Sequence, residues 1–135
     1  MTATSDRESR RWLDQALEDL VSAQVLLDGE RFYLVCFMAH QIAEKALKAY
    51  LYSAGEEAVI GHGIERLASQ ASRHDPEFGH LREQISVLDT YYVPTRYPNS
   101  IPDGIPAHAY NRRSAEDAMS LTRRTVEFVA QRLRR

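Results

Sequence analysis

The sequence has a single cysteine, Cys36, so no intramolecular disulfide can form and the core must hold the fold unaided. Cys36 lies in an apolar run, with no histidine or aspartate arranged to activate it, and reads as a buried, inert thiol. Proline is scarce outside one stretch: four of the five prolines fall between residues 94 and 106. Lysine is scarcer, two against fifteen arginines, and the formal net charge is −2. A surface that is basic everywhere is thereby excluded, and any nucleic-acid contact must rest on a local patch. The arginine bias reads more readily as genomic composition than as function. No window approaches the ~18 uninterrupted apolar residues of a membrane span. The N-terminus, Met-Thr-Ala-Thr-Ser-Asp-Arg-Glu, carries no hydrophobic signal core. These two absences point to a cytoplasmic protein that does not engage a membrane. The five histidines (His40, His62, His74, His80, His108) show no metal-ligand spacing, and no phosphate-binding glycine loop or nucleophile elbow occurs. No metal and no cofactor are expected.

What is present is helical. The 135 residues suit one domain, residues 1–135, with an ordered core over about 8–133. Ser5-Asp6 with Glu8 predicts a capping box, and Trp12, Ala16, Leu20, Ala23 and Leu27 then recur at helical spacing until Asp28-Gly29. A second helix is expected from about Glu30 to Ser53 and, given the tight link, antiparallel to the first. Residues 55–63 read as a loop and Ile64 to about Ser72 as a short third helix. Asp75-Pro76 opens a fourth helix, with Leu81, Ile85, Leu88 and Tyr92 inward, which Pro94 ends. A long proline-rich loop spans about 94–112. Ser114 with Asp117 suggests a cap for the last helix, whose inward edge is Ala115, Met119, Thr122, Val126, Val129 and Leu133. No strand pattern appears. The expected architecture is all-α, an up-and-down bundle of four long helices plus one short helix in a connection.

The second helix carries the strongest functional signal. It is apolar on most of its circumference, yet His40-Gln41-x-x-Glu44-Lys45-x-x-Lys48 runs through it. Gln41, Glu44, Lys45 and Lys48 are predicted to share one face. Charges on a central helix must meet a groove, a partner or each other, because unpaired burial is costly. A second cluster, Asp89, Tyr92, Arg96 and Tyr97, gathers at the end of the fourth helix and its exit. Arg96 is permanently cationic and seeks a carboxylate or a phosphate. The plain reading pairs it with Asp89 or Glu44. The functional reading makes the two clusters one anion-receptive cleft, with Lys48 and Arg96 on phosphate, Tyr92 or Tyr97 on a base, and Glu44 or Asp89 accepting from an amine or hydroxyl. His40 and His62 are secondary candidates.

These motifs in this order, with Gly61-His62-Gly63-Ile64 between them and Trp12, Ala16 and Asp19-Leu20 before them, resemble the HEPN domain (higher eukaryotes and prokaryotes nucleotide-binding) over roughly residues 8–133. The resemblance implies a helical bundle that commonly forms homodimers and associates with nucleotides or RNA. It implies, as partner, a minimal nucleotidyltransferase in a toxin–antitoxin-like pair. Many members resemble metal-independent ribonucleases whose signature is an arginine, four to six intervening residues and then a histidine, near the start of the last helix. This chain lacks that signature: from Arg96 the permitted positions hold Ile101, Pro102 and Asp103, and His108 lies too far on. A non-catalytic binding module is therefore expected, with a ribonuclease of non-standard site as the alternative. A purely structural network is the third reading of the same residues.

Overall fold

The three- and four-residue spacing of Leu13, Ala16, Leu20, Ala23 and Leu27 gives the first helix, α1, Ala3–Asp28, in a computed structural model that describes residues 3–134. The chain is already helical at Ala3, so Ser5 lies inside α1 and does not cap it. The stop is not the expected glycine. Arg31 N–H bonds to Leu26 O and Glu30 N–H to Leu27 O, a Schellman closure whose left-handed residue is Glu30, at φ 59°.

The second helix, α2, Phe32–Ser53, turns back along α1 and is buried nearly all round. It ends at Gly55, whose φ of 99° few other residues adopt, with Glu56 N–H returning to Leu51 O. The third, α3, is Ile64–Ser72. The fourth, α4, Phe78–Ile85, is shorter than the sequence suggests, because the chain tightens into a 3-10 turn over Ser86–Tyr91. That stretch holds Val87, Asp89 and Thr90, all weak helix formers. The loop from 94 contains a 3-10 turn, Pro98–Ser100, and one helical turn, α5, Pro106–Ala109, each opened by proline at the position where its missing N–H costs nothing. The last helix, α6, Arg112–Leu133, is capped by Asn111 rather than Ser114: its side-chain oxygen takes the Ser114 N–H at 3.0 Å.

The expected all-α bundle is thus present, with α1, α2 and α6 as its long members and no strand among the described residues. Helix α2 is the axis and touches α1, α3, the turn after α4, α5 and α6. Its faces are lined with alanine: Ala39, Ala43 and Ala46 meet Ala16 and Ala23 of α1 and Ala115 and Ala118 of α6 in one core. Two hydroxyls stitch the layers. Ser9 Oγ donates to Ala49 O and Thr122 Oγ1 to Ala39 O, both at 2.7 Å and both buried. Phe78 packs against Tyr50 and Phe128 and closes the far end. No helix among the described residues is long and apolar enough to cross a membrane.

Candidate functional site

One helical turn separates His40 from Glu44 and Glu44 from Lys48, so their side chains line one face of α2. All three are buried, at 0%, 6% and 5% exposure. Gln41 and Lys45 sit one residue further round and face elsewhere. The stripe expected from the sequence is therefore two. Lys45 leaves the cleft and pairs with Asp19 of α1, while the Gln41 side chain turns to the neighbouring His40 ring, 3.1 Å from Nδ1.

Glu44 is the hub of the buried row. Its Oε2 accepts from Lys48 Nζ at 3.0 Å and lies 3.0 Å from His62 Nδ1. Its Oε1 is buried and has no hydrogen-bond partner among the described residues. The Lys48 ammonium rests 5.3 Å from the centre of the Trp12 ring, which stacks on Tyr52 and donates its indole N–H to Glu8. Lys48 is thus enclosed by a carboxylate and an indole face, and its charge is offset inside the fold. His62 reaches Glu44 from the 55–63 strap, which Gly61 turns at φ 94°. Its side chain remains 59% exposed. A carboxylate only accepts, so this contact assigns the proton to Nδ1.

Asp89 does different work. Oδ1 takes the Ile64 N–H at 2.7 Å and Oδ2 the Glu65 N–H at 3.0 Å. It caps α3 from across the chain, because the residue at the cap position, Gly63, has no side chain to offer. His40 Nε2 lies 3.3 Å from Asp89 Oδ1, but off the line of a hydrogen bond, so this buried nitrogen has no hydrogen-bond partner among the described residues.

Arg96 meets neither Asp89 nor Glu44, contrary to the plain reading. Its Nε donates to Tyr92 O at 2.7 Å, and the guanidinium lies over three rings: Tyr92 at 4.4 Å, Phe37 at 5.0 Å and Tyr97 at 5.3 Å. It is exposed, and no carboxylate pairs with it among the described residues. The two cations expected to share an anion do not converge. Phe37 and Lys48 are three turns apart, about 16 Å along α2. The clusters meet instead at Tyr92, whose ring contacts His40 at 4.7 Å, His62 at 5.6 Å and Arg96 at 4.4 Å. The result is a strip along α2 with a cationic aromatic end, a central carboxylate and imidazole, and a sealed ammonium. His108 stands exposed on α5 with no hydrogen bond or ion pair to Arg96 among the described residues. Sequence reasoning missed Phe37 and Trp12 as ring partners of Arg96 and Lys48. Phe37 sits one turn before Gln41, which is the only sequence signal that placed it near the stripe.

Elsewhere burial raises the pKa of one thiol and three phenols. The Cys36 thiol is pushed up to about 12, and burial also raises the phenols of Tyr50, Tyr91 and Tyr110.

The arrangement can be set beside known proteins. The family model of the HEPN domain matches residues 9–133. The chain belongs to the HEPN family. Among solved structures, this HEPN chain is similar to TT1696 from Thermus thermophilus, at 39% identity and a TM-score of 0.84, over 92% of this chain and 97% of that one. It is also similar to ST0689, an archaeal HEPN homologue, at 30% identity and a TM-score of 0.78, over 93% and 98%. No curated protein matches it. The helical bundle and the family expected from the residues are therefore both established.

Proposed function

We propose that this HEPN chain is a nucleotide- or RNA-binding module whose contact surface is the strip from Arg96 to Glu44. One observation carries the reading. Arg96 is an exposed cation with no carboxylate partner among the described residues, held among the rings of Phe37, Tyr92 and Tyr97. A guanidinium fixed in this way presents its remaining N–H groups to a phosphate, beside aromatic faces that stack bases. Lys48 supports the strip from beneath by holding Glu44. Binding of ATP, GTP and a short single-stranded RNA should weaken at least about 10-fold in Arg96→Ala, the loss of one charge-assisted contact. Titration calorimetry reads it. Absence of binding by the wild type, or equal binding by the variant, refutes the module.

Homodimerisation fits a second feature. Leu17, Val21 and Val25 form an exposed apolar stripe on α1, at 40%, 63% and 66% exposure. Paired antiparallel about Leu17 and Val21, two such helices would bring Arg10 of one opposite Asp28 of the other. Sedimentation of wild type and Val21→Asp tests it: a dimer that Val21→Asp does not weaken rules out this face. We further propose a minimal nucleotidyltransferase as protein partner, in a toxin–antitoxin-like pair. The family resemblance supports it. Co-purification with a nucleotidyltransferase encoded beside this chain is the test, and separate elution of the two refutes it.

A further inference from the structure

The solvent face of α3 carries two arginines and no answering charge. Arg66, Gln70 and Arg73 follow one another at four and three residues, so they form one stripe, turned away from the buried edge of Ile64, Leu67, Ala68 and Ala71. Other arginines are met by carboxylates: Arg82 by Glu65 at 3.7 Å, Arg112 by Glu30 at 3.2 Å and Arg132 by Asp75 at 2.8 Å. Arg66 and Arg73 are exposed and have no hydrogen bond or ion pair among the described residues. The acids near them are committed. Glu65, the one acid of α3, turns to Arg82, and Asp89, beside Gly63, holds the Ile64 and Glu65 amides. In a chain of net charge −2, two uncompensated guanidinium groups on one helix face make a local basic patch.

The patch continues the strip. Helix α3 follows directly on the strap that bears His62, whose ring stacks on Tyr92, and Arg96 stands on that same Tyr92 ring. From Arg66 to Arg73 is about 10 Å along α3. A stacked strand advances ~3.4 Å per nucleotide, so the stripe matches about three successive phosphates. We propose that Arg66, Gln70 and Arg73 form a second anion-binding track, which takes the backbone of an unpaired polynucleotide strand as it leaves the rings around Arg96. This rests on the binding reading above and narrows its ligand from a mononucleotide to a strand several nucleotides long. The strand is unpaired, because the rings stack on bases that a duplex keeps enclosed. The stripe itself holds no ring. It offers guanidinium forks and an amide to phosphate and ribose, and so positions the strand without reading its sequence.

The test uses the full chain with ATP, a uridylate dodecamer and its deoxythymidylate counterpart, followed by calorimetry and fluorescence anisotropy. The wild type should bind the dodecamer at least about 10-fold more tightly than ATP. Arg66→Ala combined with Arg73→Ala should weaken the dodecamer about 10-fold and lower the slope of log affinity against log salt by about 1.4, the value for two phosphate contacts on a single strand. Melting and ATP binding should not change. Gln70→Arg should tighten the dodecamer. Arg113→Ala with Arg134→Ala removes the same charge from α6 and should have little effect. The deoxy strand separates the two sources of the backbone: equal losses on both strands put the contact on phosphate, and a loss on RNA alone puts it on the ribose 2′-hydroxyl. A wild type that binds ATP but holds the dodecamer no more tightly overturns the proposal and leaves the binding reading standing. A wild type that binds neither overturns both. The track is also refuted if the double variant holds the dodecamer as the wild type does, loses ATP in step with it, or is matched by the α6 pair.

Discussion

Asp89 caps a helix to which it does not belong: its Oδ1 accepts the N–H of Ile64 at 2.7 Å, twenty-five residues away in sequence. The neighbouring oxygen takes the next N–H, so one carboxylate satisfies two of the four amides that every helix start leaves open. Asp89→Ala should lower stability by about 1–2 kcal/mol, read by urea denaturation. Adding Gly63→Ser should recover part of that, since a Cβ at Gly63 meets only ordinary contacts, Arg66 Cβ at 3.8 Å and Asp89 Oδ2 at 4.0 Å. No loss in Asp89→Ala would mean that α3 is capped by water.

Glu44 and Lys48 are both buried, so each charge depends on the other. Lys48→Met alone should cost about 3 kcal/mol, because it leaves a buried carboxylate with only His62 beside it and a second oxygen that has no partner among the described residues. Combined with Glu44→Leu, the cost should shrink toward zero. Thermal melts of the two single variants and the double variant complete the cycle. Additive losses would show the pair to be uncoupled.

Glu30 carries a side chain where the backbone favours none, at φ 59°. Its ion pair with Arg112 is exposed on both sides and contributes little. Glu30→Gly should therefore raise stability by about 0.5–1 kcal/mol in the same denaturation assay. A loss would show that the pair outweighs the strain.

Burial raises Cys36 from its ordinary 9.0 to about 12, and Tyr50, Tyr91 and Tyr110 move up with it for the same reason. Between those values the unfolded thiol has lost its proton and the folded one has kept it. The contribution of these groups to stability should be fully present below about pH 9 and fall as pH rises beyond it. Cys36→Ala should flatten part of that slope. Alkylation of Cys36 at neutral pH should be slow and follow unfolding; rapid labelling of native protein would contradict the burial.

The helices were legible because their apolar residues repeat at three and four, a signal that burial imposes directly. Ends were less so. Ser5, Gly29 and Ser114 all have the chemistry of caps or stops, yet Glu30 and Asn111 hold the terminal positions, because a boundary depends on where the whole helix docks. The candidate site was legible in membership and not in grouping. Glu44, Lys48, His62 and Tyr92 do come together. Lys45 and Asp89 are drawn off by Asp19 and by α3, and Arg96 chooses rings over carboxylates. Such choices turn on contacts between residues far apart in the chain, which spacing along one helix does not encode.

The alanines between α1, α2 and α6 have a last consequence. Where a methyl group is the spacer, the distance between two helical backbones is set by the smallest side chains available, and there is no slack. Ala16, Ala39, Ala43 and Ala46 are wholly enclosed. Any larger residue there must push two rods apart along their length. Drift at these positions is thus confined to glycine, alanine and serine, and the register that holds the Glu44 strip against its neighbours is inherited as a rigid gauge.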